Sequence, residues 1–162
     1  MRTGAWAALT AVICVLNPLA APAHASPACG VNLSAPQIQA AISSVPTVPQ
    51  GWPWNHNPRS FGPSSNYNPC TTLSAVIVTI EQGTGSSPQQ ALLFHNGTYL
   101  GTGTSKAYAF TSLNAAQTTD DTVALNYKDG RNVCTACPGP ITTVRYQWQG
   151  DHVAMLDPAP PW

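Results

Sequence analysis

Cys134-Thr135-Ala136-Cys137 has the two-residue spacing of a dithiol redox pair. That chemistry needs a helix N-terminus to lower the pKa of the attacking thiol. Here Pro138-Gly139-Pro140 follows directly, and prolines at those positions forbid a helix. The pair therefore reads as a structural disulfide. Half of a zinc site is the other option, but the chain has no second Cys-x-x-Cys and no His-x-x-x-His to complete one. No metal is expected. Glu81 is the only glutamate, placed directly after the apolar run 75–80. A carboxyl buried there, with a raised pKa, could serve as general acid or base with His95 or His152. Against this, His95 precedes the Asn96-Gly97 turn and His152 follows Gly150-Asp151. Both are solvent-type positions, and Glu81 stands where a strand runs out into water. No catalytic residue is assigned; a hydrolase or transferase using Glu81 with a histidine is the alternative. Trp52-Pro53-Trp54 is the strongest binding candidate. Two indoles on a proline-stiffened loop stack on sugars, receive an apolar chain or anchor a protein interface. Their bland alternative is to cover an edge of the core.

Other motifs fail on order or context. Gly83-Thr84-Gly85-Ser86-Ser87 is not a Gly-x-Ser-x-Gly elbow, and Gly101-Thr102-Gly103 lacks the third glycine and the helix of a dinucleotide site. Asp120-Asp121 has no further oxygen ligands for calcium and reads as a turn. No cofactor is implied.

Positioning these residues falls to one helix and a set of strands. Ser34-Ala35-Pro36-Gln37 resembles a capping box with Ser34 as N-cap, and Ile38, Ala41, Ile42 and Val45 form an apolar stripe at helical spacing. Pro46 ends the helix. Residues 46–69 hold six prolines and little periodicity, which predicts an irregular surface segment. The run 75–80 (AVIVTI) reads as a central strand covered on both faces. Asn96-Gly97 predicts a two-residue hairpin, with His95 facing Thr98, Phe94 facing Tyr99, Leu93 facing Leu100 and Leu92 facing Gly101. A short strand is expected over 107–111. Val123, Leu125 and Tyr127 alternate with polar residues, as do Val144, Tyr146 and Trp148, and Gly150-Asp151 turns into a last strand at 153–156. The fold class is α+β: one N-terminal helix packed on a mostly antiparallel meander of about six strands. One domain spans 26–157, followed by a Pro-rich tail at 158–162.

The amino terminus has the order of a secretory signal peptide over residues 1–25. Arg2 is followed by an uncharged apolar run at 4–16, and Ala23-His24-Ala25 offers a cleavage site before Ser26. That run is shorter than the ~20 residues a membrane span needs, so no transmembrane span is expected in the mature chain. About 137 of the 162 residues would remain after cleavage, one domain's worth. Charged residues make up 7% of the chain, against about 25% in a typical soluble protein. With no basic stripe, nucleic acid is excluded as a partner, and no polybasic cluster marks an anionic lipid surface. Cys14 leaves with the leader. Cys29, Cys70, Cys134 and Cys137 then allow three connectivities. Cys29–Cys70 with Cys134–Cys137 is favoured, the first tying the N-terminal segment to the main sheet.

Asn66-Tyr67-Asn68-Pro69-Cys70-Thr71-Thr72-Leu73-Ser74, Gly83-Thr84-Gly85-Ser86-Ser87-Pro88 and the segment 92–102 (LLFHNGTYLGT) resemble the LppP/LprE lipoprotein family. Ala107-Tyr108-Ala109-Phe110, Asp121-Thr122-Val123 and Val144-Arg145-Tyr146 extend the likeness. It implies an actinobacterial envelope protein with an uncharacterised domain, and brings no established catalytic residues. Family members are lipidated at a cysteine that follows a lipobox. Here Ser26-Pro27-Ala28 precedes Cys29 without the usual leucine, and Cys14 lies inside the apolar run behind Ile13. Secretion as a soluble form, without a lipid on Cys29, is expected. The Cys134–Cys137 loop is an addition to the family pattern, which favours its self-pairing and leaves Cys29 for Cys70. The expected function is a non-catalytic secreted or envelope module binding a lipid, glycan or protein partner, with a structural envelope protein as a further alternative.

Overall fold

Every residue of β1 (Ser74–Thr79) is buried, and that fact organises the rest of the chain. In this computed structural model residues 28–59 and 65–162 are described; the leader at 1–25 and the Ala25/Ser26 cleavage site lie outside them. β1 pairs with β2 (Gln89–His95), and β2 with β3 (Thr98–Thr102), in one antiparallel sheet ordered β1-β2-β3. Side chains on a strand alternate between faces. Val76, Val78, Leu92 and Phe94 thus point one way, toward Ile38, Ala41 and Ile42 of helix α1 (Pro36–Ser44). Ala75, Ile77, Ala91 and Leu93 point the other way.

A nine-residue helix covers only one face, so the second apolar face needs its own cover. The C-terminal half supplies it as a separate sheet, β4 (Thr111–Leu113), β5 (Thr122–Lys128), β6 (Ile141–Trp148) and β7 (Val153–Met155), antiparallel in that order. Its inward residues Val123, Leu125, Tyr127, Val144 and Tyr146 complete the inter-sheet core. The α+β class therefore holds, but the single meander of about six strands is corrected. Among the described residues there are seven strands in two sheets, layered helix on sheet on sheet.

Three local expectations are also corrected. Ser34 does not cap α1. The N-cap is Ala35, extended at φ −62° and ψ 136° with no side-chain cap bond, because the residue before a proline avoids the helical region and Pro36 takes the first helical turn. The hairpin keeps the His95–Thr98 and Phe94–Tyr99 pairs, then slips: Leu93 faces Gly101 and Leu92 faces Thr102. A β-bulge leaves Leu100 without a partner, and Gly101 absorbs the kink at φ +142°, a conformation that suits glycine. Finally, 107–111 is not a strand. Tyr108 makes one isolated bridge to Gln89, and β4 starts at Thr111.

The cysteines pair as Cys29–Cys70 and Cys134–Cys137, with Cα separations of 5.4 and 5.0 Å. Asn68 organises the first bridge, its Oδ1 accepting from the Gly30 and Cys70 amides at 3.1 and 3.0 Å. Two contacts tie the tail after β7 back to the domain. Arg145 grips Asp157 through Nε and Nη2 at 2.8 and 2.9 Å, and Tyr108 Oη donates to the Pro160 carbonyl at 2.9 Å.

This clasp predicts an acid response. The Arg145 guanidinium holds the Asp157 carboxyl down to about 2, and Arg131 does the same for Asp129. A carboxylate with a depressed folded-state pKa stabilises fully above its unfolded value, near 4, and loses that contribution as pH falls toward 2. Urea midpoints should therefore hold from pH 7 to 5 and drop between pH 4 and 2. Asp157→Asn should flatten part of that drop, and an unchanged slope would show the clasp to be energetically silent.

Candidate functional site

β3 and β7 are edge strands of the two sheets, and between them lies a groove of about 410 Å³. Its wall on the first sheet is Leu93, Leu100 and the Gly101-Thr102-Gly103 backbone; on the second it is Tyr146, Trp148, Val153 and Met155. The bulge that corrects the hairpin register also makes this site. It turns Leu100 out, so that 41% of its surface is exposed, opposite Met155 at 44%. Gly103 lets the strand approach Tyr146: a Cβ there would stand 3.2 Å from the phenol Cζ and Oη. Beneath, Tyr146 and Tyr127 join their hydroxyls at 3.0 Å, and burial pushes both phenols up. The tyrosine pair forms the floor, and the lining joins the apolar Leu100, Val153 and Met155 to the polar Asp151 and His152.

The titratable candidates divide. His152 lies on the groove rim, its Nδ1 2.6 Å from Asp151 Oδ1, and that contact holds the exposed Asp151 carboxyl below the usual range. His95 stacks on Trp148 at 3.8 Å between ring centroids and 14° between planes. The Thr72 carbonyl, 2.6 Å from its Nδ1, can only accept. Nδ1–H is therefore the donor, and Nε2 accepts from Asn96 Nδ2 at 3.0 Å. Both ring nitrogens are committed to holding the turn. Glu81 is exposed and does not line the groove. Ser74 pairs beside His95 while Thr79 pairs with Gln89, so the length of β1, about 20 Å, separates Glu81 from His95. The three groups do not form one acid–base constellation.

The two loop tryptophans also part company. Trp54 is 5% exposed, bridged to Ile80 and donating its Nε1–H to the Pro46 carbonyl at 2.9 Å; it closes the helix-side core. Trp52 is 48% exposed and stays available on the surface. Asp120 and Asp121 act as turn acceptors, Asp120 from Thr72 Oγ1 at 2.6 Å and Asp121 from Thr119 and Thr122 hydroxyls at 2.7 and 2.9 Å. Among the described residues no group of three His, Cys, Asp or Glu side chains is placed to hold a metal. No helix among them is long and apolar enough to cross a membrane.

Sequence reasoning did not find the groove. Leu100, expected to pair with Leu93, and Met155, at the end of a short strand, carry its rim. The available signal was Gly101-Thr102-Gly103, two glycines flanking one residue just after the hairpin, where a strand bends and packs close.

Comparison with known proteins gives a family. The family model described as LppP/LprE lipoprotein matches residues 65–151. Over 129 residues the chain is 36% identical to lipoprotein LprE of Mycobacterium leprae, covering 79% of this chain and 59% of that protein. Its identity to the LprE proteins of Mycobacterium bovis and Mycobacterium tuberculosis is 35%, covering 79% of this chain and 58% of each. The chain thus spans about three-fifths of the length of these relatives. No solved structure matches it.

Proposed function

The chain belongs to the LppP/LprE lipoprotein family, and from that premise we propose a non-catalytic envelope binding module that takes the apolar part of an envelope lipid into the groove between β3 and β7. The observation that carries this reading is the pair Leu100 and Met155, two large apolar side chains held in solvent on facing strands. Exposed apolar side chains rimming a preformed concave site are what an acyl chain would cover. The catalytic alternative loses its support with the separation of Glu81 from His95.

Export follows from the leader over 1–25 and cleavage before Ser26. Cys29 is bonded to Cys70, so its sulfur is not free to carry a thioether-linked lipid. That favours a soluble exported form over an anchored one, in contrast to the lipoproteins that name the family.

The test is titration with a brominated fatty acid, which quenches nearby indoles, Trp148 in the groove wall among them. Leu100→Asp and Met155→Asp change exposed positions and should leave the thermal midpoint within a few degrees of the parent. Each should weaken binding about tenfold or more, the scale of removing one buried aliphatic contact. Equal binding by parent and both variants would refute the groove as the lipid site.

A further inference from the structure

Beyond β7 the chain runs Asp157-Pro158-Ala159-Pro160-Pro161-Trp162, and it lies against the domain with a regular spacing. Arg145 holds the Asp157 carboxylate, and three residues on Pro160 is buried. Pro158, Ala159 and Pro161 are exposed. Inward contacts three residues apart match the three-residue turn of a polyproline II strand, which makes no internal hydrogen bonds.

The surface beneath offers what such a strand needs. Tyr108 is buried and fixed by backbone bonds with Gln89 at 2.9 and 3.0 Å, and its Oη donates to the Pro160 carbonyl at 2.9 Å. A prolyl residue has a carbonyl to offer but no N–H, so a phenol donor suits a proline-rich segment. Lys106 Nζ donates to the main-chain oxygen of Trp162. The Trp162 ring packs on the inter-sheet core, with Arg131 Cζ 5.5 Å from its centroid. Arg131 is itself held by Asp129 at 2.7 Å, and Lys128 Nζ by the Thr135 and Cys137 carbonyls. The cations here are engaged, and what the surface holds is a peptide: its carbonyls, a proline ring and an indole. Aromatic surfaces that take preformed polyproline strands recur in peptide recognition. Trp162 also walls a cavity of about 370 Å³ with Phe110, Lys128 and Gly130, space that a side chain of another segment could fill.

We infer that this surface recognises an extended proline-rich segment of a partner protein, and that the tail is its occupant in the free chain. A short tether holds the tail there at a roughly millimolar effective concentration. A partner segment displaces it by adding contacts in the cavity beside Trp162. Exchange is confined to 158–162, because Asp157 stays clasped to Arg145. The inference does not rest on the lipid groove.

The test is titration of the isotope-labelled full chain with the unlabelled peptide acetyl-Pro-Ala-Pro-Pro-Trp, followed by NMR. With peptide in excess over that effective concentration, the Trp162 indole N–H signal should move to its solvent-exposed position. A signal that stays in place overturns the inference. Pro160→Asp unseats the tail and should bind the peptide about tenfold more tightly than the parent, the factor for a site occupied nine-tenths of the time. Equal binding by the two would show that peptide and tail do not compete, which also overturns it. Added to Pro160→Asp, Tyr108→Phe keeps the ring, removes the donor and should weaken binding about fivefold; no loss refutes the carbonyl contact. A peptide with alanine at all three proline positions should bind severalfold more weakly, and equal affinity refutes the proline-rich class. The parent titration decides the matter even where Pro160→Asp is unstable. Leu100→Asp should leave peptide binding unchanged.

Discussion

Replacing Cys29 and Cys70 together by serine should lower the unfolding free energy by about 4 kcal/mol, whereas the same change at Cys134 and Cys137 should cost about 2 kcal/mol. Loop length sets most of the difference. The first bridge joins residues 41 apart and the second residues three apart, and a longer closed loop removes more freedom from the unfolded chain. Local contacts add to the contrast. Cys29 anchors a lead-in whose Asn32 amide donates to the Tyr67 carbonyl at 3.0 Å. Without the bridge that segment is free to peel from the start of β1. The small loop is held independently, because Lys128 grips the Thr135 and Cys137 carbonyls. Guanidinium denaturation of the two double-serine variants decides the matter. Equal losses would show that native contacts, not chain entropy, set the value of these bridges. A drop of this size is a large share of the 5–15 kcal/mol typical of a domain, so the Cys29/Cys70 variant should also be the more protease-sensitive.

The same bridges show what a sequence can and cannot reveal. The stripe Ile38, Ala41, Ile42 could be read because helical periodicity is local, and all three are buried in α1. The continuous apolar run of β1 announced a strand covered on both faces, and both covers exist. What covers the second face was not legible. Alternation in β5 and β6 says that one side is buried, not that it is buried against β1 and β2 and not beside them. The division into two sheets is a long-range choice, made by the area each layer must hide. Ser34 looked like a cap because its spacing to Gln37 fits, but Pro36 sets the boundary by restricting Ala35. The groove was hidden by a one-residue bulge, which moves Leu100 from core to rim. Lys106, from the β3–β4 connection, meets Lys128 and Arg131 at the end of β5, a long-range approach that no spacing along the chain foretells. Family resemblance supplied a kinship but no site, so the chemistry had to be read from geometry.

Phe94→Ala should cost roughly 3–5 kcal/mol, the range for deleting a fully buried aromatic side chain. Phe94 has no exposed surface, and its ring meets Tyr67 edge-on at 4.9 Å and Tyr99 at 5.5 Å. Its neighbours cannot collapse into the gap. Tyr67 is fixed behind the hairpin turn, its ring against the Gly97 position, and Ser74 is the residue paired with Phe94 on β1. A cavity therefore stays open between sheet and helix, adding to the lost transfer energy. The adjacent Leu93 is the control, since it points to the inter-sheet core. Leu93→Ala should lose roughly 2–5 kcal/mol but from the other layer. Hydrogen exchange separates the two. Phe94→Ala should release the amides of α1 before those of β5 and β6, because the nine-residue helix is too short to persist without its packing. Leu93→Ala should spare α1 relative to the β5–β6 ladder and loosen the Tyr146 floor of the groove, coupling stability there to lipid binding. If both variants lose protection in the same order, the layers unfold as one unit, and the helix is held by more than the ring beneath it.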